Sequence, residues 1–88
     1  MIKRIEKFGA TWCGPCKALD KTLETLKNSE ALENIEVIKY DVDEYEELTS
    51  SRNIRNVPVL IFYNENNEEI NRTVGALTAN KILEIIKN

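Results

Sequence analysis

Histidine is absent from this 88-residue sequence, and cysteine occurs only twice. One chain with two thiols and no imidazole cannot complete an ordinary four-ligand zinc site. Runs of apolar residues long enough to cross a bilayer are also missing, as are repeats, low-complexity segments and linkers. The opening residues Met1-Ile2-Lys3-Arg4-Ile5-Glu6-Lys7 are charged throughout and lack the apolar stretch of a secretory signal. A cytoplasmic, reducing location is the resulting expectation, and a membrane partner is not expected. Basic charge is short as well: 12 Lys and Arg face 15 Asp and Glu, for a formal charge of −3. That balance argues against nucleic acid as a partner, because phosphate backbones attract basic surfaces.

What is present fits one α/β domain spanning residues 1–88, since a chain of this size has no room for a second core. Ile2 to Phe8 reads as a strand, with Arg4, Glu6 and Lys7 breaking its alternation. A helix follows, carrying Leu19, Leu23 and Leu26 at offsets 0, 4 and 7 and ending near Asn28-Ser29. Ile35 to Tyr40 is rich in β-branched residues and reads as a strand. The acidic stretch Asp41 to Glu47 is expected to open a second helix reaching about Asn53, with its carboxylates at the positive end of the dipole. Val57 to Tyr63 is the most apolar segment and reads as a central strand, with Pro58 tolerated at its start. Asn64-Glu65-Asn66-Asn67 supplies a turn, and Glu68 to Val74 returns antiparallel. Thr78 caps a last helix whose Ile82, Leu83, Ile85 and Ile86 form an apolar face. The order is βαβ, then α, then ββα, with a right-handed crossover placing the first two strands parallel and adjacent. The sheet is therefore mixed.

The two thiols stand as Cys13-Gly14-Pro15-Cys16, preceded by Trp12. Cys13 falls where the first strand becomes the first helix, beside backbone N–H groups that have no helical partner. Those groups and the macrodipole favour thiolate over thiol, and thiolate is the species that attacks disulfides. Pro15 fits a first helical turn because its missing N–H needs no acceptor there. Gly14 keeps bulk away from an incoming substrate. Cys16, one turn further on, can attack the mixed disulfide formed at Cys13. Three other readings stand beside redox exchange. A structural disulfide is disfavoured by the small loop it would close. Half of an intersubunit zinc site and an unused pair in a binding module remain open.

On these residues the chain resembles the thioredoxin family. Phe8-Gly9-Ala10-Thr11-Trp12-Cys13-Gly14-Pro15-Cys16-Lys17 is similar to that family's active-site stretch. Asn53-Ile54-Arg55-Asn56-Val57-Pro58-Val59 is similar to its isoleucine-proline loop, and Val74-Gly75-Ala76-Leu77 to its final loop. The resemblance implies a thioredoxin fold with a four-stranded mixed sheet and three helices, the minimal core shared with glutaredoxins. It implies Cys13 as exposed nucleophile, Cys16 as buried resolving thiol, and a cis Val57–Pro58 bond facing them. Trp12, Gly14, Pro15, Val57, Pro58 and Gly75 would contact an extended substrate segment. The implied activity is reduction of protein disulfides by dithiol exchange, with thioredoxin reductase as electron donor, no bound cofactor and no metal. A glutaredoxin-like protein reduced by glutathione is the alternative, although C-P-Y-C, T-V-P and paired glycines are absent. A thioredoxin-fold binding subunit of a larger complex is the rival from another class. Monomer is the default state.

Two departures from the family pattern stand out. The family's first strand and helix have no counterpart here, so one sheet face is expected to be less covered, accommodating Arg4 and Glu6. Lys7 occupies the position of the family's buried aspartate, either favouring a nearby thiolate or extending into solvent as an exposed lysine. Lys39 matches a lysine near the family's active site, or is an ordinary surface residue. The acidic run Asp41, Asp43, Glu44, Glu46, Glu47 lacks calcium-loop spacing and reads as a solvated helix start. Tyr40, Tyr45, Phe62 and Tyr63 form no spaced stacking platform for bases.

Overall fold

In the computed structural model, which describes residues 1–87, seven elements follow one another. They are β1 (Ile2–Gly9), α1 (Gly14–Asn28), β2 (Glu36–Asp41), α2 (Glu46–Ser51), β3 (Val59–Asn64), β4 (Glu69–Val74) and α3 (Ala79–Lys87). The strands form one sheet in the order β2-β1-β3-β4. β1 runs parallel to β2, with Ile5 opposite Val37 and Lys7 opposite Lys39. β1 runs antiparallel to β3, and β3 to β4. The expected order of elements, the parallel pairing of the first two strands and the mixed character of the sheet are those observed.

Strand alternation divides the interior. Ile5, Leu60 and Phe62 face α1 and α3, where they meet Leu19, Leu23, Leu26 and Ile82. The leucine stripe of α1 is buried as its spacing predicts. Ile82 is fully buried, with Leu83, Ile85 and Ile86 packed more loosely around it. Each such side chain contributes about 2 kcal/mol on leaving water. Thr78 Oγ1 accepts the Lys81 N–H at 3.2 Å and so caps α3. On the opposite face Phe8, Val59, Ile61 and Tyr63 pack with Leu48 and Ile54, which belong to α2 and the loop after it.

That second face carries a buried carboxylate. Glu6 is only 2% exposed, so the expectation of a less covered sheet face is corrected at this residue. The Tyr63 hydroxyl donates to Glu6 Oε1 at 2.7 Å, and Arg52 donates to both carboxylate oxygens at 3.1 and 3.3 Å. Arg4 Nε lies 3.6 Å from Glu6 Oε2, with its guanidinium 4.1 Å over the Tyr63 ring. Burial would raise the Glu6 pKa. Hydrogen bonds from Arg52 and Tyr63, with the charges of Arg52 and Arg4, outweigh it and hold the carboxyl below its ordinary value. Tyr63 is pushed up, by burial first and then by its bond to Glu6 and that residue's charge.

The acidic stretch does not form one helix, which is the largest correction to the sequence reading. Asp41 still belongs to β2 and pairs with Gly9. The Val42 N–H continues to Gly9 O at 2.9 Å. Asp41 then turns the chain: its Oδ1 accepts the Asp43 N–H at 2.8 Å, and its carbonyl accepts from Glu44 and Tyr45. Local side-chain bonding of this kind competes with helix, so only Glu46 and Glu47 occupy the first turn of α2. β3 begins two residues later than expected, at Val59, because Pro58 has no N–H for a ladder. In the hairpin, Asn64 Oδ1 accepts the Asn66 and Glu68 N–H groups, and Asn67 takes a positive φ of 61°.

Candidate active site

β1 delivers the chain to the top of the sheet, and Ala10 to Trp12 carry it over into α1. The Cys13 N–H reaches back to Ala10 O at 3.2 Å. Cys13 is the N-cap of α1: its backbone is extended, and its Sγ accepts the Cys16 N–H at 3.1 Å. A sulfur thus takes the capping place more often held by Ser or Asp. No acidic residue stands in the first turn of α1, so this 15-residue helix sets no carboxylate of its own between its positive end and that sulfur. Pro15 lies in the same turn.

Cys13 and Cys16 are joined as a disulfide. Both are covered, Cys13 at 5% and Cys16 at 1% exposure. The exposed sulfur implied for Cys13 is therefore not what the oxidised form presents. Bonded to Cys16 and holding its amide, Cys13 sits in a small apolar cluster with Ala10, against Val42 and Val57. Gly14 and Pro15 beside it are exposed, and nothing lies within 4 Å of where a Gly14 Cβ would be. An approach to the pair is open from that side.

The remaining candidate residues are Trp12, directly before the pair, and those of two loops, one reaching the cluster through Val57 and the other bonded to the first through Pro58. The Val57–Pro58 peptide bond is cis. Val57 is half-buried against the cysteines, and Pro58 is fully buried. Pro58 O accepts the Gly75 N–H at 2.8 Å, with Gly75 at φ 94°, a conformation that side chains with a Cβ disfavour. Trp12 is 69% exposed and shares a surface groove with Val42, Ile54, Arg55 and Val57.

Three residues near the pair escaped the sequence reading in whole or part. Asp43, assigned to a helix start, instead accepts the Trp12 indole N–H on Oδ2 at 3.0 Å. Lys7 does not extend into solvent. It is 5% exposed, with its Nζ 2.9 Å from Asp20 Oδ1. Alternation places Lys7 on the α1 face, and α1 supplies the carboxylate there. Asp20 was legible in principle, being four residues past Cys16 and hence on the same side of the helix. Lys39 is half exposed and lies 3.6 Å from the same Asp20 oxygen.

A family model for thioredoxin matches residues 3–88. The chain belongs to the thioredoxin family. It is similar to Thioredoxin-1 of Drosophila melanogaster, at 41% identity over 59 residues, which cover 67% of this chain and 54% of that protein. It is similar to the thioredoxin of Mycoplasmoides gallisepticum, at 31% identity over 85 residues, 97% of this chain and 82% of that protein. Its fold is similar to that of a variant thioredoxin from Halobacterium salinarum, with a TM-score of 0.84 and 32% identity over 96% of this chain and 71% of that one. The chain spans less than two thirds of the length of several curated thioredoxins that it matches. Among the described residues, no helix is long and apolar enough to cross a membrane. Nor is any group of three or more Cys, Asp or Glu side chains placed to hold a metal ion.

Proposed function

We propose that the chain is a thiol–disulfide oxidoreductase that reduces protein disulfides through Cys13 and Cys16, its 88 residues acting as one thioredoxin domain. The observation that carries this reading is the capping geometry: the Cys13 sulfur accepts the Cys16 N–H at the positive end of α1, whose first turn carries no carboxylate. In the reduced protein a Cys13 thiolate there attacks a substrate disulfide. A mixed disulfide forms, and one substrate thiolate leaves with the electron pair. The Cys16 thiolate then attacks Cys13 Sγ, the Cys13–Cys16 bond forms, and the second substrate thiolate departs. Two electrons have passed to the substrate.

Trp12, Val57, Pro58 and Gly75 border the surface on which an extended substrate segment would lie, with Gly14 and Pro15 leaving the approach open. Main-chain pairing alongside such a segment tolerates many sequences, which suits a reductant of varied proteins. Thioredoxin reductase is the expected electron donor, the protein acting as a cytoplasmic monomer.

Turnover of insulin disulfides by the oxidised protein, supplied with NADPH and thioredoxin reductase, tests the proposal. A parallel assay supplies glutathione and glutathione reductase. Faster turnover with the second system would make the protein glutaredoxin-like in its electron supply. Turnover that survives in the Cys13→Ser, Cys16→Ser variant would remove the dithiol mechanism altogether.

A further inference from the structure

A lysine ammonium is rarely buried unless it is paired, because its removal from water is strongly opposed. Lys7 meets that condition. β1 carries it beneath the start of α1, where Asp20 Oδ1 lies 2.9 Å from its Nζ. The same oxygen is 3.6 Å from Lys39 Nζ on β2. One carboxylate shared between two ammonium groups leaves the cluster net positive.

Gly9 determines what that positive charge faces. A Cβ at Gly9 would stand 2.5 Å from Lys7 Nζ and 3.2 Å from Cys16 Sγ. The ammonium and the sulfur therefore look into the same space, which is free only because residue 9 has no side chain. Their separation cannot exceed those two distances laid end to end. The remaining polar groups around Lys7 line a cleft that opens to solvent: Thr11 and Lys17 from the start of α1 and the loop before it, with Tyr40, Asp41, Glu44 and Tyr45 from β2 and the turn after it. The residue paired with Lys7 on β3 is Leu60, which carries no charge.

We propose that Lys7 is the electrostatic partner of Cys16, its ammonium facing the sulfur across the space left by Gly9 and so favouring the thiolate that resolves the mixed disulfide. The inference rests on the dithiol exchange described above. Cys16 gives its proton to solvent. The Cys16 thiolate then bonds to Cys13 Sγ as the bond from Cys13 to the substrate sulfur breaks, and the electron pair leaves on the substrate.

The test follows Cys16 alone, in the reduced Cys13→Ser protein carrying ¹³C at its cysteine Cβ. The Cβ chemical shift is recorded against pH. Lys7→Met is expected to raise the midpoint by about one unit or more, a loss of about tenfold in thiolate near neutral pH. Lys7→Arg restores the parent midpoint, and Asp20→Asn, which removes the counter-charge, lowers it. A midpoint unmoved by Lys7→Met, or one that Arg restores no better than Met, overturns the proposal. If Lys7→Met does not fold, Lys7→Gln decides the matter: a midpoint that stays or falls overturns it. The titration needs no turnover, so failure of the redox reading would appear separately, as a parent protein that leaves insulin disulfides intact while this coupling persists.

Discussion

The indole of Trp12 donates a hydrogen bond to Asp43 Oδ2 at 3.0 Å, tying the residue before the cysteine pair to a turn 31 positions later in the chain. Both partners are exposed, so the bond orients the ring more than it stabilises the fold. Asp43→Ala should therefore lower stability by no more than about 1 kcal/mol in urea unfolding. Trp12 emission should shift as the ring loses its orientation, and insulin reduction should slow severalfold. Unchanged emission would separate Asp43 from the ring.

Glu6 makes stability depend on pH in a predictable direction. Its folded carboxyl titrates below the ordinary value of 4.5. The stability this group adds is therefore complete above the ordinary carboxylate range and disappears as pH falls through the depressed folded value. Glu6→Gln leaves Arg52 and Arg4 without their shared counter-charge and should cost about 2 kcal/mol at pH 7. The gap between parent and variant, from urea unfolding at a series of pH values, should close on acidification. A gap constant down to pH 3 would contradict the assignment.

Gly9→Ala sets a methyl group against Lys7 Nζ and Cys16 Sγ. The lysine end can move, but the sulfur is fixed by its bond to Cys13. Overpacking of this kind costs about 1–3 kcal/mol, to be read as a lower Tm of the oxidised protein. The reduced protein, whose Cys16 sulfur is free to turn, should lose less. Equal losses in both forms would mean that the sulfur is not the obstacle.

Gly75→Ala tests backbone alone. Nothing lies within 4 Å of the added Cβ, but φ at this residue is 94°. The expected loss is about 1 kcal/mol or more, from placing a Cβ in a left-handed conformation. An unchanged unfolding midpoint would show that the loop relaxes, which the Gly75 N–H bond to Pro58 O opposes.

Element order was legible because it follows from periodicity. The spacing of Leu19, Leu23 and Leu26 and the apolar run after Pro58 both report burial directly, and the structure buries them. Capping was legible at Thr78 for the same local reason. The failures concern charge. Asp41 to Glu47 has a composition suited to a helix start, but Asp41 bonds its own neighbours and keeps its place beside Gly9. Lys7 and Glu6 break the alternation of β1, and nothing in the local sequence shows that each meets its partner from a distant element. Asp20 comes from α1 and Arg52 from the end of α2. The cover over Cys13 is equally non-local, since Val42 and Val57 supply it.

Placing β1 second in the sheet has a further effect, on the timing of assembly. Its antiparallel neighbour is β3, and Ile5 faces Phe62 across most of the chain. During vectorial synthesis β1 emerges before β3 and must wait for it before both its edges are paired. Until residue 64 has left the ribosome, Ile5 and Phe8 can be covered from one edge only. A nascent chain halted before that point should be readily cleaved by protease, and one halted after β3 should resist.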